Sequence, residues 1–142
     1  MRIGFDAKRA YQNYTGLGNY SRDLLKGLME FAPDNEYYLY APKITKIPSA
    51  KFISQYDNVK VTTPQTQLDK TFKGLWRSVN LEKNLDQDDI DIFHGLSNEI
   101  PRIGNGSNIK YVVTIHDLIF KRYPRNYNCL LYTSDAADEG HC

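Results

Sequence analysis

The chain has 142 residues, of which 41% are hydrophobic and 13% aromatic, and its formal net charge is +1. This length is about that of one domain, and the hydrophobic content suffices for a buried core, so a disordered chain is excluded. The small net charge and the lack of a recognised nucleic-acid motif exclude nucleic acid as the expected partner. No apolar run approaches the roughly 18 residues of a membrane span, and we expect a cytoplasmic protein.

The first predicted elements are a strand, a loop and a helix. An apolar strand over residues 2–5 ends at Asp6, and a polar loop that carries Lys8 and Arg9 follows it. Apolar side chains then recur at helical spacing over residues 19–32, and Pro33 marks the end of this helix. Its inner face is predicted to hold Tyr20, Leu24, Leu25, Leu28 and Phe31, and its outer face Arg22, Asp23, Lys26 and Glu30.

The rest of the chain continues to alternate between strands and helices. Strands are predicted over residues 37–41, 59–62, 90–93 and 111–115, and helices over residues 49–56 and 72–85. The last of these strands is the most apolar, and we expect it to be buried. This alternation predicts an α/β fold with a Rossmann-like, mostly parallel sheet flanked by helices.

The segment TGLGNY, residues 15–20, is a candidate anion site. Glycine lets the backbone pass close to a ligand, and the unpaired N–H groups at the start of a helix attract phosphate oxygens. We therefore predict that Gly16, Leu17 and Gly18 contact a phosphate group. The alternative is a tight turn that only starts the helix, and the loop alone does not decide between the two.

Two histidines each follow a predicted strand directly, at the sheet edge where ligands bind in α/β folds. They are His94 and His116, and Asp117 adjoins the second. A neighbouring carboxylate can orient or stabilise an imidazole that titrates near neutrality, so His116 and Asp117 form a candidate catalytic pair. Structural alternatives stay open, because the histidines can serve as hydrogen-bonded scaffold residues and Asp117 can cap the next turn.

The end of the chain is interpreted as non-native. Residues 129–138, CLLYTSDAAD, resemble a translated sequencing-library adapter, and we expect one truncated domain over residues 1–128 followed by a tail over residues 129–142. Both cysteines, Cys129 and Cys142, lie in that tail. The domain therefore offers no support for a disulfide or a cysteine metal site, and no metal is expected.

Five segments together resemble, in order and spacing, the N-terminal domain of glycosyltransferase family 4 enzymes, which have the two-domain GT-B fold. They are residues 2–7, 15–20, 33–37, 91–94 and 113–118, and the resemblance covers essentially residues 1–127. It implies that this chain is the incomplete N-terminal, acceptor-side half of a GT-B enzyme. The C-terminal domain, which holds most of the nucleotide sugar in that family, would be a partner in cis.

The resemblance implies metal-free, retaining transfer of a hexose, with mannose as one candidate, from a GDP- or UDP-hexose. The acceptor would be a glycan or a lipid-linked sugar, which makes the inner membrane surface a candidate partner, and this fragment alone is expected to be inactive. In that family the residue at the position of His116 lies near the transferred sugar and the attacking hydroxyl. Other candidate substrate contacts are Asp6, Lys8, Tyr20 and His94, beside the donor-phosphate loop Gly16, Leu17 and Gly18.

Two other functions stay open. A nicotinamide-dependent dehydrogenase also has a strand, a glycine turn and a helix, but its motif requires Gly or Ala where this chain has Ser21, and here the loop from Phe5 to Gly16 is long. A non-catalytic GT-B-like module that binds a sugar or a partner protein is the second alternative.

Overall fold

The computed structural model of this chain describes residues 1–64, 81–101 and 107–122. Its strands are β1 (Arg2–Asp6), β2 (Glu36–Tyr40), β3 (Val59–Thr62), β4 (Ile92–Gly95) and β5 (Lys110–Val113). They form one sheet in the order β3-β2-β1-β4-β5, and each neighbouring pair is parallel. Because all the strands point the same way, their carboxyl ends lie along one edge.

Helices connect and flank these strands. They are α1 (Lys8–Gln12), α2 (Gly16–Phe31), α3 (Leu81–Gln87), α4 (Ile119–Arg122) and a 3-10 helix over Pro48–Gln55. The predicted α/β class, with a parallel sheet and flanking helices, is confirmed. The part of the helix predicted over residues 72–80 and the tail over residues 129–142 lie outside the described residues. Of the helices that the structure describes, none has the length and apolar character needed to cross a membrane.

The apolar core has two parts, one on each face of the sheet, and β2 contributes to both. Successive side chains of a strand point to opposite faces. Accordingly Tyr37 and Leu39 pack in a cluster with Leu25 of α2, whereas Tyr38 and Tyr40 pack in a second cluster that includes Leu81 and Leu85 of α3. A strand covered on both faces accounts for the continuous apolar run of this segment.

The structure corrects the sequence predictions for the region after β1. Residues 8–12 form helix α1 rather than a loop, and α2 begins at Gly16 rather than near residue 19. Five residues are too few to show a helical repeat, which is why α1 left no periodic signal.

Two side chains of α2 face the opposite way from the prediction. The prediction that Arg22 faces outward is wrong, since only 4% of it is exposed, and the prediction that Phe31 faces inward is also wrong, since it is 88% exposed.

The prediction of a buried last strand is wrong as well. Val112 is 45% exposed, Val113 40% and Ile115, which follows the strand, 54%. Within the described residues β5 is an edge strand that pairs with β4 alone, so its apolar side chains lack the cover that a central parallel strand receives.

Candidate functional site

The carboxyl edge of the sheet brings the two predicted histidines together with the first turns of α2. Tyr20, in the second turn of that helix, makes the connection. Its hydroxyl oxygen lies 3.0 Å from Oγ1 of Thr114, directly after β5, and its ring meets the His116 ring edge to face at a centroid distance of 4.9 Å. The glycine segment and His116, which are far apart in the sequence, therefore belong to one site.

The hydrogen bonds of His116 fix which ring nitrogen carries its proton. Nε2 lies 2.8 Å from the carbonyl oxygen of Leu96, and a carbonyl can only accept, so Nε2 is the protonated nitrogen. The backbone N–H of His116 donates to Oδ1 of Asn98 at 3.2 Å. In the part of the chain that the structure describes, Nδ1 has no hydrogen-bond partner. It is the nitrogen with which the neutral ring can accept a proton or a hydrogen bond.

Asp117 makes a different contact from the one expected of a catalytic partner. Its Oδ1 accepts the backbone N–H of Ile119 at 3.1 Å, at the start of α4, and the residue is exposed. No hydrogen bond joins Asp117 to the imidazole of His116 among residues 107–122. The contact that the structure shows for Asp117 is the one expected of the turn-capping alternative.

His94 lies beside this centre, at the end of β4. Its Nε2 is 2.8 Å from Thr114 Oγ1, and its ring centroid is 5.7 Å from that of Phe5 on the neighbouring strand. Burial lowers the pKa of His94, because the imidazolium loses hydration there. The ring is therefore neutral at pH 7 and acts at this site as a polar hydrogen-bonding group.

In the glycine segment, Gly16 and Leu17 have N–H groups available for a ligand, whereas Gly18 does not. Asn13 Oδ1 accepts the Gly18 N–H at 3.0 Å and also the backbone N–H and hydroxyl of Thr15, at 2.9 and 2.7 Å. A Cβ on Gly18 would lie 1.9 Å from the Asn13 carbonyl oxygen, so this glycine is required by packing inside the protein. Gly16 is exposed, with open space around its Cα.

Behind this segment lies a buried cation that the sequence analysis missed. The Arg22 guanidinium donates to the carbonyl oxygens of Ala10 and Asn13 at 3.0 and 2.8 Å, and to Asn19 Oδ1 at 2.7 Å. No carboxylate forms an ion pair with it within the described ranges. The first turns of α2 therefore contain a positive charge in addition to the helix dipole. Asn13, a cap-type residue just before the helix, was the available signal for the true start of α2.

The remaining predicted contacts lie at the end of β1. Asp6 Oδ1 accepts the backbone N–H of Lys8 at 3.1 Å, which shapes the turn into α1. Helix α1 separates β1 from Gly16, whereas the glycine motif of a dehydrogenase begins immediately after its strand.

Among the residues with described positions, no three His, Cys, Asp or Glu side chains are grouped to hold a metal ion.

A cavity of about 770 Å³ lies elsewhere, at the amino ends of β1, β4 and β5. Most of the charged side chains that line the cavity are acidic, namely Glu82, Asp86, Asp89 and Asp91. The positively charged groups in the lining are Lys110 and the amino group of Met1. Such a lining repels phosphate, and ligands of parallel sheets bind at the opposite edge. The cavity is therefore separate from the candidate site.

Fold and geometry together define a Rossmann-like α/β protein with a polar site at the carboxyl edge of its sheet. Comparisons of the chain with protein families, with curated proteins and with solved structures found no match.

Proposed function

We propose that this chain is the acceptor-side half of a retaining GT-B glycosyltransferase, which transfers a hexose from a nucleotide sugar to a glycan or lipid-linked acceptor. The observation that carries the proposal is the contact of Tyr20 with both Thr114 and His116. Through this contact, a helix start suited to a diphosphate and an imidazole suited to a sugar hydroxyl share one edge of the sheet. The resemblance of five sequence segments to glycosyltransferase family 4 supports the same function.

The start of α2 is the proposed diphosphate contact. The N–H groups of Gly16 and Leu17 have no partner among the described residues, and a helix N-terminus is equivalent to about half a positive charge. The buried guanidinium of Arg22 adds a full charge behind the same turns. Both features favour a departing diphosphate over a neutral leaving group.

The imidazole of His116 is the proposed contact for a sugar hydroxyl. Because Nε2 is committed to the Leu96 carbonyl, Nδ1 accepts the hydrogen bond of the hydroxyl and aligns its oxygen. An imidazole in this position also suits proton transfer with the bound hydroxyl. Asp117 contributes through the turn that follows, and Asp6 and Lys8 line the neighbouring strand end.

The proposal extends to partners and location. A second domain in cis supplies most of the nucleotide site, so the chain alone has no significant turnover. A lipid-linked acceptor places the enzyme at the inner face of a membrane, in the cytoplasm. Neither a metal nor another cofactor takes part in the proposed reaction.

Nucleotide-sugar binding to the isotope-labelled chain tests the proposal by NMR. With GDP-mannose or UDP-glucose we expect weak, saturable shifts of the Gly16 and Leu17 amides and of the His116 ring. GDP alone should shift the amides and leave the ring unmoved, because the sugar is what meets His116. Shifts with NAD but with neither sugar nucleotide favour the dehydrogenase, and no shift with any of these ligands contradicts the proposed donor contact.

Two variants at one position sharpen this test. Gly16→Pro removes one N–H donor at the first position of α2, where proline suits a helix, and the extended backbone of Thr15 (φ −95°, ψ −168°) tolerates a following proline. Gly16→Ala keeps the donor, and its Cβ enters open space. We expect about tenfold weaker binding for the proline variant and unchanged binding for the alanine variant.

A further inference from the structure

One hydroxyl group joins three elements of the candidate site. Thr114 Oγ1 lies 3.0 Å from the hydroxyl oxygen of Tyr20 on α2 and 2.8 Å from Nε2 of His94 on β4. Thr114 itself follows β5 directly and stands two residues before His116. A hydroxyl offers one donor and two acceptor positions, so it can satisfy both neighbours at the same time.

The backbone of Thr114 is anchored more firmly than its exposed neighbours suggest. Its N–H donates to the Gly95 carbonyl at 2.8 Å, and its own carbonyl accepts the Asn98 N–H at 2.9 Å. His94 and Val112 are paired in register and share a face of the sheet, and the alternation of the strand places Thr114 on that face too. Hydrogen bonds of both the N–H and the carbonyl therefore fix the backbone of Thr114, and this fixes the position of its hydroxyl.

Tyr20 carries this constraint to His116. Its phenol oxygen is fixed at Thr114 while its ring meets the imidazole at an interplanar angle of 89°. Edge-to-face aromatic contacts of this kind are favourable beyond the burial of area, so the contact favours one orientation of the imidazole ring. The imidazole is thus fixed at two points, by the Leu96 carbonyl at Nε2 and by the Tyr20 ring.

We propose that Thr114 is a positioning residue, whose hydroxyl holds the Tyr20 phenol and thereby orients the His116 imidazole with Nδ1 toward the ligand. Its role in sugar transfer rests on the function proposed above. The positioning itself is a property of this chain and is measurable without substrate.

The test compares Thr114→Val with Thr114→Ser by NMR of the complete 142-residue chain. In the valine variant we expect loss of the nuclear Overhauser contacts between the Tyr20 and His116 rings, because the phenol has lost its anchor. We also expect the pKa of His94 to change, because its Nε2 loses the Thr114 hydroxyl as a hydrogen-bond partner. The serine variant should restore both.

Two further variants separate positioning from a general loss of structure. Tyr20→Phe keeps the ring and removes only its hydroxyl, so it should loosen the Tyr20–His116 contact while His94 keeps its bond to Thr114. Thr62→Val makes the same substitution at the end of β3, where the structure gives the hydroxyl no partner among the described residues, and should change neither signal.

Ring contacts and a His94 pKa that stay unchanged in Thr114→Val overturn the inference, as does a serine variant that behaves like valine. If Thr114→Val disrupts the fold, the ring contacts in Tyr20→Phe decide. The nucleotide-sugar titration is a separate measurement: it can fail while Thr114 still orients His116, which would reject the transferase and keep the positioning role.

Discussion

Gly18 and Gly27 lie in the same helix, but Gly18 is closely packed and Gly27 faces open space. A Cβ on Gly18 would lie 1.9 Å from the Asn13 carbonyl oxygen, whereas a Cβ on Gly27 would meet no atom within 4 Å. The sequence marked the Gly16–Gly18 segment as special, but it pointed to a ligand as the reason. The structure divides that segment, since Gly18 is needed for packing against the end of α1 and Gly16 remains open to a ligand.

Alanine at these two glycines should change stability in opposite directions. Gly18→Ala forces backbone atoms apart and should lower the free energy of unfolding by about 1–3 kcal/mol. Gly27→Ala adds a better helix former in open space and should raise it by roughly 1 kcal/mol. Urea denaturation followed by circular dichroism measures both, and equal effects of the two substitutions would contradict the packing role of Gly18.

For the two histidines, the sequence predicted the position in the fold but not the hydrogen-bond partners. Their position after strands predicted that His94 and His116 would lie at one edge, and the structure places both there. The protonated nitrogen of His116 was beyond prediction, because it depends on the carbonyl of Leu96, a partner 20 residues earlier in the chain. Thr114 was missed for the same reason, since its two partners come from α2 and β4.

At the scale of elements, the corner between α1 and α2 depends on Asn13. One amide oxygen accepts the N–H and hydroxyl of Thr15 and the N–H of Gly18, which satisfies donors that the start of α2 would otherwise leave open. The backbone carbonyl of the same residue receives the Arg22 guanidinium. This corner sets where α2 begins, and therefore where Gly16 and Leu17 present their N–H groups.

Replacing the Asn13 side chain should therefore weaken α2 and the proposed donor site together. For Asn13→Ala we expect a loss of about 0.5–2 kcal/mol in the free energy of unfolding, as for other helix-start caps. Asn13→Asp retains the acceptor and adds a negative charge near the helix start, so it should keep most of the stability. Thermal unfolding of the three proteins measures the difference, and an alanine variant as stable as the parent would remove Asn13 as the cap.

Elements with a clear repeat or a long apolar run were predictable, and elements made by tertiary contact were not. The amphipathic pattern predicted α2, and the apolar runs predicted the strands, but α1 has only five residues and no repeat of its own. The burial of Arg22 also had no sequence signal, because its partners are main-chain carbonyls of α1 and one amide side chain.

For the molecule as a whole, the exposed edge of β5 is the unusual feature. Parallel strands are normally covered on both faces, yet large apolar side chains in and after β5 are more than a third exposed, including Val112, Val113, Ile115, Leu118 and Ile119. The apolar run of residues 111–115 predicted a buried strand because apolar side chains favour burial. Whether the strand is actually buried depends on which other elements cover it, and the sequence of the strand itself carries no information about those elements.

Within the described residues β5 pairs with β4 alone, which leaves one apolar edge of the strand open. Such an edge is a template for association between copies of the chain, so we expect self-association that grows with concentration. Val113→Lys places a charge on this edge, on the face opposite His94, and should keep the chain monomeric in sedimentation velocity. Phe31→Lys is the matched control, because Phe31 is 88% exposed against 40% for Val113 but lies at the end of α2. If apolar area alone drove association, the Phe31 variant would show the larger effect; if the strand edge drives it, only Val113→Lys abolishes association.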